Sequence, residues 1–545
     1  HTRSSCDWSS DVCSSDLSGQ TARNRVIKDG DATRLLCETD DDVIEWRYLP
    51  NTGTLSDIEA RVNGGEAFRP AVAGGLVLEI DDQEREPDDP GIERQLVKLR
   101  RRRKHVEAEW LWRVGPASIP VRYTLTPKRK SLVIEIEADT DLGSKVCFGR
   151  YQGGPTCQLV RVPYLDMRGF RYKGSTDPAV LWTDTFFLSA IQDWYNSHGS
   201  ELFGAAEQQA SDQATYNGGV VYFPTSDGQR NPVRERFVIT ASTTFSDVLP
   251  NIPNPPSPYL ESLRNAFWIT RPWYMSRKTY DAIQTGGQPP YYEQETAFWQ
   301  TLHEYGVRDL FIRRHCAIWR QYMPMNGDPY TFVATTDPRG GGDGACAAHI
   351  HQLRDELGYR VGFYTNYTII SPLSYDIWHE DLVCRDSNWE WQTGSLSTAM
   401  AKPSRVLPLQ RQFAGDLKNR FGVSCSYQDQ ITCRPFWGCT DYDARVHGAA
   451  RHDAVFRAHA EVLREERRIY EGPVLSEGAC HWYFAGLCDS NYAQTTGMDK
   501  PGLLDFQLLR LHMLNNDCGA EIYQSDPDRL AAYCLAHGHI GHRTH

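Results

Sequence analysis

Asp429 and Glu477 close two short runs, Ser424-Cys425-Ser426-Tyr427-Gln428-Asp429 and Pro473-Val474-Leu475-Ser476-Glu477, and lie forty-eight residues apart. An amphipathic helical segment precedes each run, and the interval is about what one βα unit with its loop occupies. Two carboxyls at the C-terminal ends of adjacent parallel strands suit chemistry at an acetal carbon. One attacks the anomeric carbon or activates a water, and the other protonates the departing oxygen. A lone acid at a strand end is ordinarily a cap or an ion-pair partner, so context has to raise these two. Asp429 is followed by Arg434-Pro435-Phe436-Trp437, and Glu477 by His481-Trp482-Tyr483-Phe484. Ring faces beside hydrogen-bonding groups suit a pyranose, and a partly desolvated carboxyl has its pKa raised toward use as a general acid.

The elements that must position this pair follow from periodicity. Residues 259–545 alternate helical and strand-like segments: helices over 293–305, 349–357, 407–421 and 451–470, and strands at 309–313, 360–366, 424–429 and 473–477. Repeated βα units form a parallel sheet, and side chains such as His315, Asn366, Asp429 and Glu477 at successive strand ends favour a (β/α)8 TIM-type barrel over a doubly wound sheet. With a first strand at Phe267-Trp268-Ile269, Asp429 closes the fourth strand and Glu477 the fifth. Six strands, with a seventh at 538–540, are legible, so the barrel is expected to be cut short at its C-terminal end. Gly340-Gly341-Gly342-Asp343-Gly344 has no strand before it and reads as a loop, not a phosphate cradle.

Residues 18–249 carry short alternating runs such as Leu76–Ile80, Val121–Leu125, Leu132–Ile136 and Phe237–Thr240, separated by turn residues, which predicts an antiparallel β-sandwich. Residues 250–258 hold five prolines and form a stiff linker. Residues 1–17 resemble a translated reading frame of a sequencing-adapter oligonucleotide and are set aside as foreign to the fold. The chain is thus multidomain, β followed by α/β.

Composition narrows the function further. Charged residues are 23% and hydrophobic residues 40% of 545, so the chain folds and is not disordered. A net charge of −12 argues against a nucleic-acid partner, and the basic run Arg100–Lys104, flanked by acids, reads as a solvated hairpin. No apolar stretch is long enough to span a membrane. The cysteines show no CxxC pairs, and several (Cys147, Cys316, Cys425, Cys534) sit in core-like segments. That pattern fits reduced, buried thiols and leans towards the cytoplasm. The histidines 537, 539, 542 and 545 look metal-like by composition, but no cluster has ligand spacing. Neither a metal nor a cofactor is expected, and no dinucleotide fingerprint occurs.

The motifs around Asp429 and Glu477, with Tyr364-Thr365-Asn366-Tyr367-Thr368 and the Ala399-Met400-Ala401-Lys402-Pro403-Ser404 loop, resemble those of glycoside hydrolase family 129 and the related family 101, which are α-N-acetylgalactosaminidases. The resemblance spans roughly residues 265–545. It implies a retaining glycoside hydrolase acting on α-linked galactose or N-acetylgalactosamine in an oligosaccharide or glycoconjugate, with Asp429 as nucleophile and Glu477 as acid/base. One departure is Gln428, where an apolar residue is expected. The alternatives are a same-barrel glycosidase of other specificity, for instance on sulfated or plant galactans, and a carbohydrate-binding protein without catalysis. A retaining pair places its carboxyls about 5–5.5 Å apart.

Further substrate contacts are expected from side chains near these motifs. Asn366 and Tyr367 end the third strand and either bond sugar hydroxyls or cap it. Asp443 and Arg445 either line the cleft or pair with each other, and Lys402 lies in the matching loop. His481 and Trp482 follow Glu477 toward the −1 sugar. Trp437 is a stacking ring or a core residue, and His315 and Trp319 are rim candidates.

Overall fold

Along Ala117–Lys128 the side chains alternate: Val121, Tyr123 and Leu125 are buried, while Arg122 faces out. That period of two is the mark of a sheet with one covered face, and it governs the first half of the chain. The structure is a computed structural model. It describes residues 22–162, 178–204, 211–250, 257–264, 266–271, 291–314, 341–394 (except 373 and 375–376), 398–477, 481–484 and 486–492, with short pieces at 332, 334, 336, 517–518, 528, 532 and 542–544. Residues 1–17 and most of the proline-rich stretch lie outside these, as do Cys316 and Cys534.

Three antiparallel sheets occupy residues 23–242. Arg23–Asp29, Ala32–Glu38, Val43–Tyr48 and Ile58–Val62 pair in chain order. A larger sheet is centred on Ser131–Ala138 between Ala117–Lys128 and Val233–Ser242, and a five-stranded sheet includes Gly75–Ile80 and Gly143–Cys147. The basic run forms the tip of the hairpin Glu93–Arg101/Val106–Val114, where Arg100 donates to Glu109 at 2.5 Å across the strands.

A buried ion cluster ties the first sheet to the second. Lys130 donates to Asp42 and Asp247, each at 2.6 Å, and to Ser242 at 3.1 Å, with the Lys130 side chain 2% exposed. Burial alone would raise the Asp42 carboxyl, but hydrogen bonds from Lys130, Ser242 and Thr243 overcome it and hold it at about 2. Its folded pKa lies below the unfolded value, so this contribution is present above about pH 4 and is lost as the pH falls toward 2. Lys130→Met leaves two buried carboxylates facing each other, and a loss of about 3 kcal/mol or more is expected in denaturant titration. An unchanged midpoint would mean the cluster is dispensable.

The second half is built on a parallel sheet. Its strands are β1 (Phe267–Arg271), β2 (Leu310–Arg314), β3 (Arg360–Asn366), β4 (Cys425–Asp429), β5 (Val474–Glu477), β6 (Ser490–Tyr492), β7 (Asp517–Cys518) and β8 (His542–Thr544). β1 to β7 pair in chain order and β8 pairs with β1, all in parallel; among the described residues β7 and β8 do not pair with each other. Eight strands are therefore present, which corrects the count of six or seven. β6 to β8 are only two or three residues long, too short to show as apolar runs. The segment read as a strand at 538–540 lies outside the described residues.

Among the described residues four long helices cover the sheet: α1 (Tyr291–Glu304), α2 (Gly342–His351), α3 (Pro403–Phe421) and α4 (His452–Tyr470). α2 begins inside the glycine run expected to be a loop, and a single π turn, Gln352–Glu356, completes it. α3 starts earlier than the periodicity indicates because Pro403, with its fixed φ and no N–H to satisfy, suits the first turn. It stops at Gly422, whose φ of +70° lets its N–H reach back to Lys418 at 2.8 Å. On α4, Val455, Phe456, His459, Val462, Leu463 and Glu466 are all buried, so a carboxyl sits in the stripe that faces the sheet.

The two halves meet at the loops that follow β4 and β5. Ser200 donates to the Ala450 carbonyl at 2.7 Å, His452 N–H to Gly199 at 2.9 Å, and the Tyr195 hydroxyl to the Tyr483 carbonyl at 2.7 Å. The antiparallel sheets thus brace the loops that carry the site. Among the described residues no helix is long and apolar enough to cross a membrane. The described cysteines are free, and all but Cys147 are buried.

Candidate active site

The forty-eight-residue interval turns out to be a register. Ser426 pairs with Val474, Tyr427 with Leu475 and Gln428 with Ser476, each with the same offset, so Asp429 and Glu477 end their strands at one level. On the other side Asn366 pairs with Asp429. Because side chains alternate along each strand, Tyr364, Asn366, Tyr427, Asp429, Leu475 and Glu477 share the face turned away from the helices. Trp268, Phe311, Tyr364, Cys425, Tyr427 and Leu475 pack there as one apolar cluster beneath the carboxyls.

Asp429 is held by three donors. Tyr364 Oη reaches its Oδ2 at 2.5 Å, Asn366 Nδ2 the same oxygen at 3.0 Å, and Tyr427 Oη its Oδ1 at 3.2 Å. Asn366 is itself fixed, since Thr368 donates to its Oδ1 through both N–H and hydroxyl at 3.0 Å. The Arg313 guanidinium lies over the Tyr427 ring at 3.9 Å. Glu477 neighbours Asp429, and its Oε2 accepts the Gln430 N–H at 3.1 Å. Gln430 adopts φ +66°, a left-handed conformation unusual for a residue other than glycine, and this is what aims its amide at Glu477.

The electrostatics of the pair follow from this packing. Burial raises the Asp429 carboxyl well above the usual range and the neighbouring Glu477 raises it further, against the hydrogen bonds from Tyr364 and Tyr427. A carboxylate beside Asp429 disfavours its anion, which adds to the effect of burial.

Behind the strands lies a group that the motifs did not reveal. Glu466 on α4 accepts from Tyr367 Oη at 2.6 Å, Ser426 Oγ at 2.7 Å and Thr365 Oγ1 at 3.2 Å, and also from Gln428 Nε2. Burial pushes its carboxyl up to about 7 despite these bonds. Tyr367 is buried. It falls on the opposite parity to Asn366, and its hydroxyl is spent on Glu466. Gln428, the departure from the expected apolar residue, is one of the donors that Glu466 gathers.

Other expected residues separate from the pair. Lys402 Nζ donates to Asp443 at 2.5 Å, and Arg445 grips the same carboxylate through Nε at 2.9 Å and Nη2 at 2.8 Å. These cations hold Asp443 well below the usual range in spite of its burial. Lys402, Asp443 and Arg445 thus bond one another, which is the pairing alternative held for Asp443 and Arg445. Trp437 is 4% exposed and packs edge-on against Phe436 and Tyr483, so it is a core ring. His481 and Trp482 lie on a single turn, His481–Phe484, after β5; their side chains are outside the described residues, as are His315 and Trp319. Among the described residues no group of side chains has the arrangement of a metal site.

No family model matches the chain, and no curated protein matches it in sequence. Solved structures do. The α-N-acetylgalactosaminidase NagBb from Bifidobacterium bifidum in complex with GalNAc superposes with a TM-score of 0.62 at 11% identity, covering 89% of this chain and 84% of that one. Its ligand-free form gives 0.62 at 12% identity, with 92% and 88% covered. A GH36 α-galactosidase, AgaA from Geobacillus stearothermophilus, gives 0.45 at 10% identity over 96% of this chain and 83% of that one. At such identities the likeness to NagBb is one of fold.

Proposed function

We propose that this protein is a retaining glycoside hydrolase that cleaves α-linked galactose or N-acetylgalactosamine, on a closed eight-stranded barrel preceded by a β-sandwich at residues 18–249. The observation that carries the reading is the carboxyl pair: Asp429 and Glu477 side by side at the ends of adjacent parallel strands, the former buried and gripped by Tyr364, Asn366 and Tyr427. The resemblance of the flanking motifs to families 129 and 101, and the fold shared with NagBb, both support it.

Chemistry follows from one proton on two carboxyls. A sugar entering the cleft lies between them. The donors around Asp429 then favour its anion, and the proton stays on Glu477. Asp429 attacks C1 as the C1–O bond breaks, and Glu477 gives its proton to the departing oxygen. Glu477, now a base, takes a proton from water, which attacks C1 and releases Asp429. Asn366 is a positioning residue that keeps the Asp429 carboxylate turned to C1. His481 and Trp482 are placed by the chain next to Glu477 and are assigned to the −1 sugar.

The test is the stereochemistry of hydrolysis. With aryl α-galactoside and aryl α-N-acetylgalactosaminide, proton NMR is expected to show the α-anomer of the free sugar first, with mutarotation later. A β-anomer appearing first would overturn retention, and no turnover of either substrate would overturn the proposal. Activity is also expected to be bell-shaped in pH, because the pair works only with one proton. Asp429 is raised, so its protonation begins well above the usual aspartate value of about 3.9, and the acid limb of kcat/KM moves toward neutrality. An acid limb at or below pH 4 would contradict the burial of Asp429 beside Glu477.

A further inference from the structure

The supports of the two carboxyls meet on one side chain. Asn366 Nδ2 holds Asp429 at 3.0 Å, and the Gln430 N–H reaches Glu477 at 3.1 Å. Thr368 Oγ1 stands 3.0 Å from Asn366 Oδ1 and 3.0 Å from Gln430 Oε1. Both side-chain amides have their orientation fixed by groups that can only donate. The Thr368 N–H faces Asn366 Oδ1 at 3.0 Å, and the Arg434 guanidinium faces Gln430 Oε1 at 2.5 Å. Each amide therefore turns an acceptor toward the Thr368 hydroxyl, which carries a single proton. The hydroxyl serves one of them at a time, and the other then meets its lone pair.

Folding does not require this hydroxyl. Thr368, Gln430 and Arg434 are all buried. A buried hydroxyl costs free energy unless it is bonded, and valine has the same shape without that cost. Valine would leave neither amide bare, because each oxygen already has another donor. Thr368 is also set in place from behind, where its carbonyl accepts the Ala401 N–H at 2.9 Å. Gln430 keeps its left-handed backbone, φ +66°, only where its surroundings impose it, and the bonds that Thr368 and Arg434 make to its side chain are such a restraint. The same restraint keeps its N–H on Glu477. The two carboxyls need support at different steps: Asp429 while it attacks C1, Glu477 while it takes a proton from water. One rotating hydroxyl serves them in turn.

Resting on the glycosidase reading, we infer that Thr368 is a positioning residue for both carboxyls, its one hydroxyl proton shared between the amide that holds Asp429 and the amide that keeps the Gln430 turn on Glu477. The charged and titratable groups that face the pair are Tyr364 on β3, Tyr427 on β4 with Arg313 of β2 over its ring, and Cys433 and Arg434 after β4. Thr368→Val, Thr368→Ser and Gln430→Met leave all of them in place. The readout is carbon-13 NMR of carboxyl-labelled aspartate, with the Asp429 signal assigned by its loss in Asp429→Asn. A hydrogen bond to a carboxylate favours its anion, so Thr368→Val, which loosens Asn366, should move the Asp429 titration up by about half a pH unit or more, and Thr368→Ser should restore it. Gln430→Met has the opposite sign. It removes the competing acceptor, leaves the proton with Asn366 and should move the Asp429 titration down. In a Thr368→Val background Gln430→Met should no longer move it, because the link is gone. On an aryl α-galactoside or α-N-acetylgalactosaminide, Thr368→Val is expected to lower kcat about tenfold with KM within about threefold. If Thr368→Val does not fold, Thr368→Ala, which keeps the backbone N–H on Asn366, is read in its place. An Asp429 titration that ignores Thr368, an equal effect of Gln430→Met in both backgrounds, or an unchanged kcat overturns the inference. Titrations that move as expected in a protein that turns over neither substrate would keep the shared proton and sink the glycosidase reading instead.

Discussion

Asp429→Asn is expected to lower turnover of an aryl α-galactoside or α-N-acetylgalactosaminide by at least ~10² while leaving the fold intact. The replacement keeps the shape of the side chain and its contacts with Tyr364, Asn366 and Tyr427, so it removes charge and little else. Glu477→Gln should also cost ~10² or more on a poor leaving group and markedly less on a nitrophenolate, which needs no proton to depart. Azide discriminates the two roles. Asp429→Ala with azide should form the β-glycosyl azide in one displacement, and Glu477→Ala with azide should form the α-azide through the covalent intermediate. If both variants gave the same anomer, or if neither lost ~10² in rate, the roles assigned to the pair would be wrong.

The second large effect belongs to Glu466, which touches no sugar. Four donors converge on it from β3, β4 and the residue after β3. Glu466→Leu leaves Tyr367, Thr365, Ser426 and Gln428 buried without their acceptor, and a loss of about 3 kcal/mol is expected in denaturant titration. Glu466→Gln, which keeps one acceptor oxygen, tests the charge. The carboxyl of Glu466 is pushed to about 7 in the folded state, above its unfolded value near 4.3, so the folded state binds the extra proton between those limits. Stability of the parent should therefore fall relative to Glu466→Gln as pH rises from about 4.3 to 7. A difference in melting temperature that does not vary over that window would show that Glu466 is not protonated there.

How much of this was legible in the sequence depends on the residue. The strands ending in Asn366, Asp429 and Glu477 were visible as apolar runs after capped helices, and their interval proved to be the pairing offset of β4 and β5. Period-two alternation alone assigns Asn366 and Tyr367 to opposite faces. Leaving sugar contact and cap open for both made no use of that rule. Glu466 was harder, because a glutamate on a helix usually faces water. The clue was indirect: Thr365, Ser426 and Gln428 are polar at positions where central parallel strands are ordinarily apolar, which implies a buried partner. Lys402, Asp443 and Arg445 were ambiguous in principle, since ion pairs and sugar sites draw on the same side chains. Strands of two or three residues, such as β6 to β8, leave no periodic trace at all.

The alternation across β3 and β4 has a bearing on how such a protein can vary. Within Tyr364–Tyr367 and Ser426–Asp429, every second letter belongs to the chemistry and the letters between them to the anchor on α4. A substitution edits one message and leaves the other readable. A one-residue deletion swaps the two, sending Asp429 toward the helices and its neighbour into the cleft. These two strands are therefore confined to changes that preserve count.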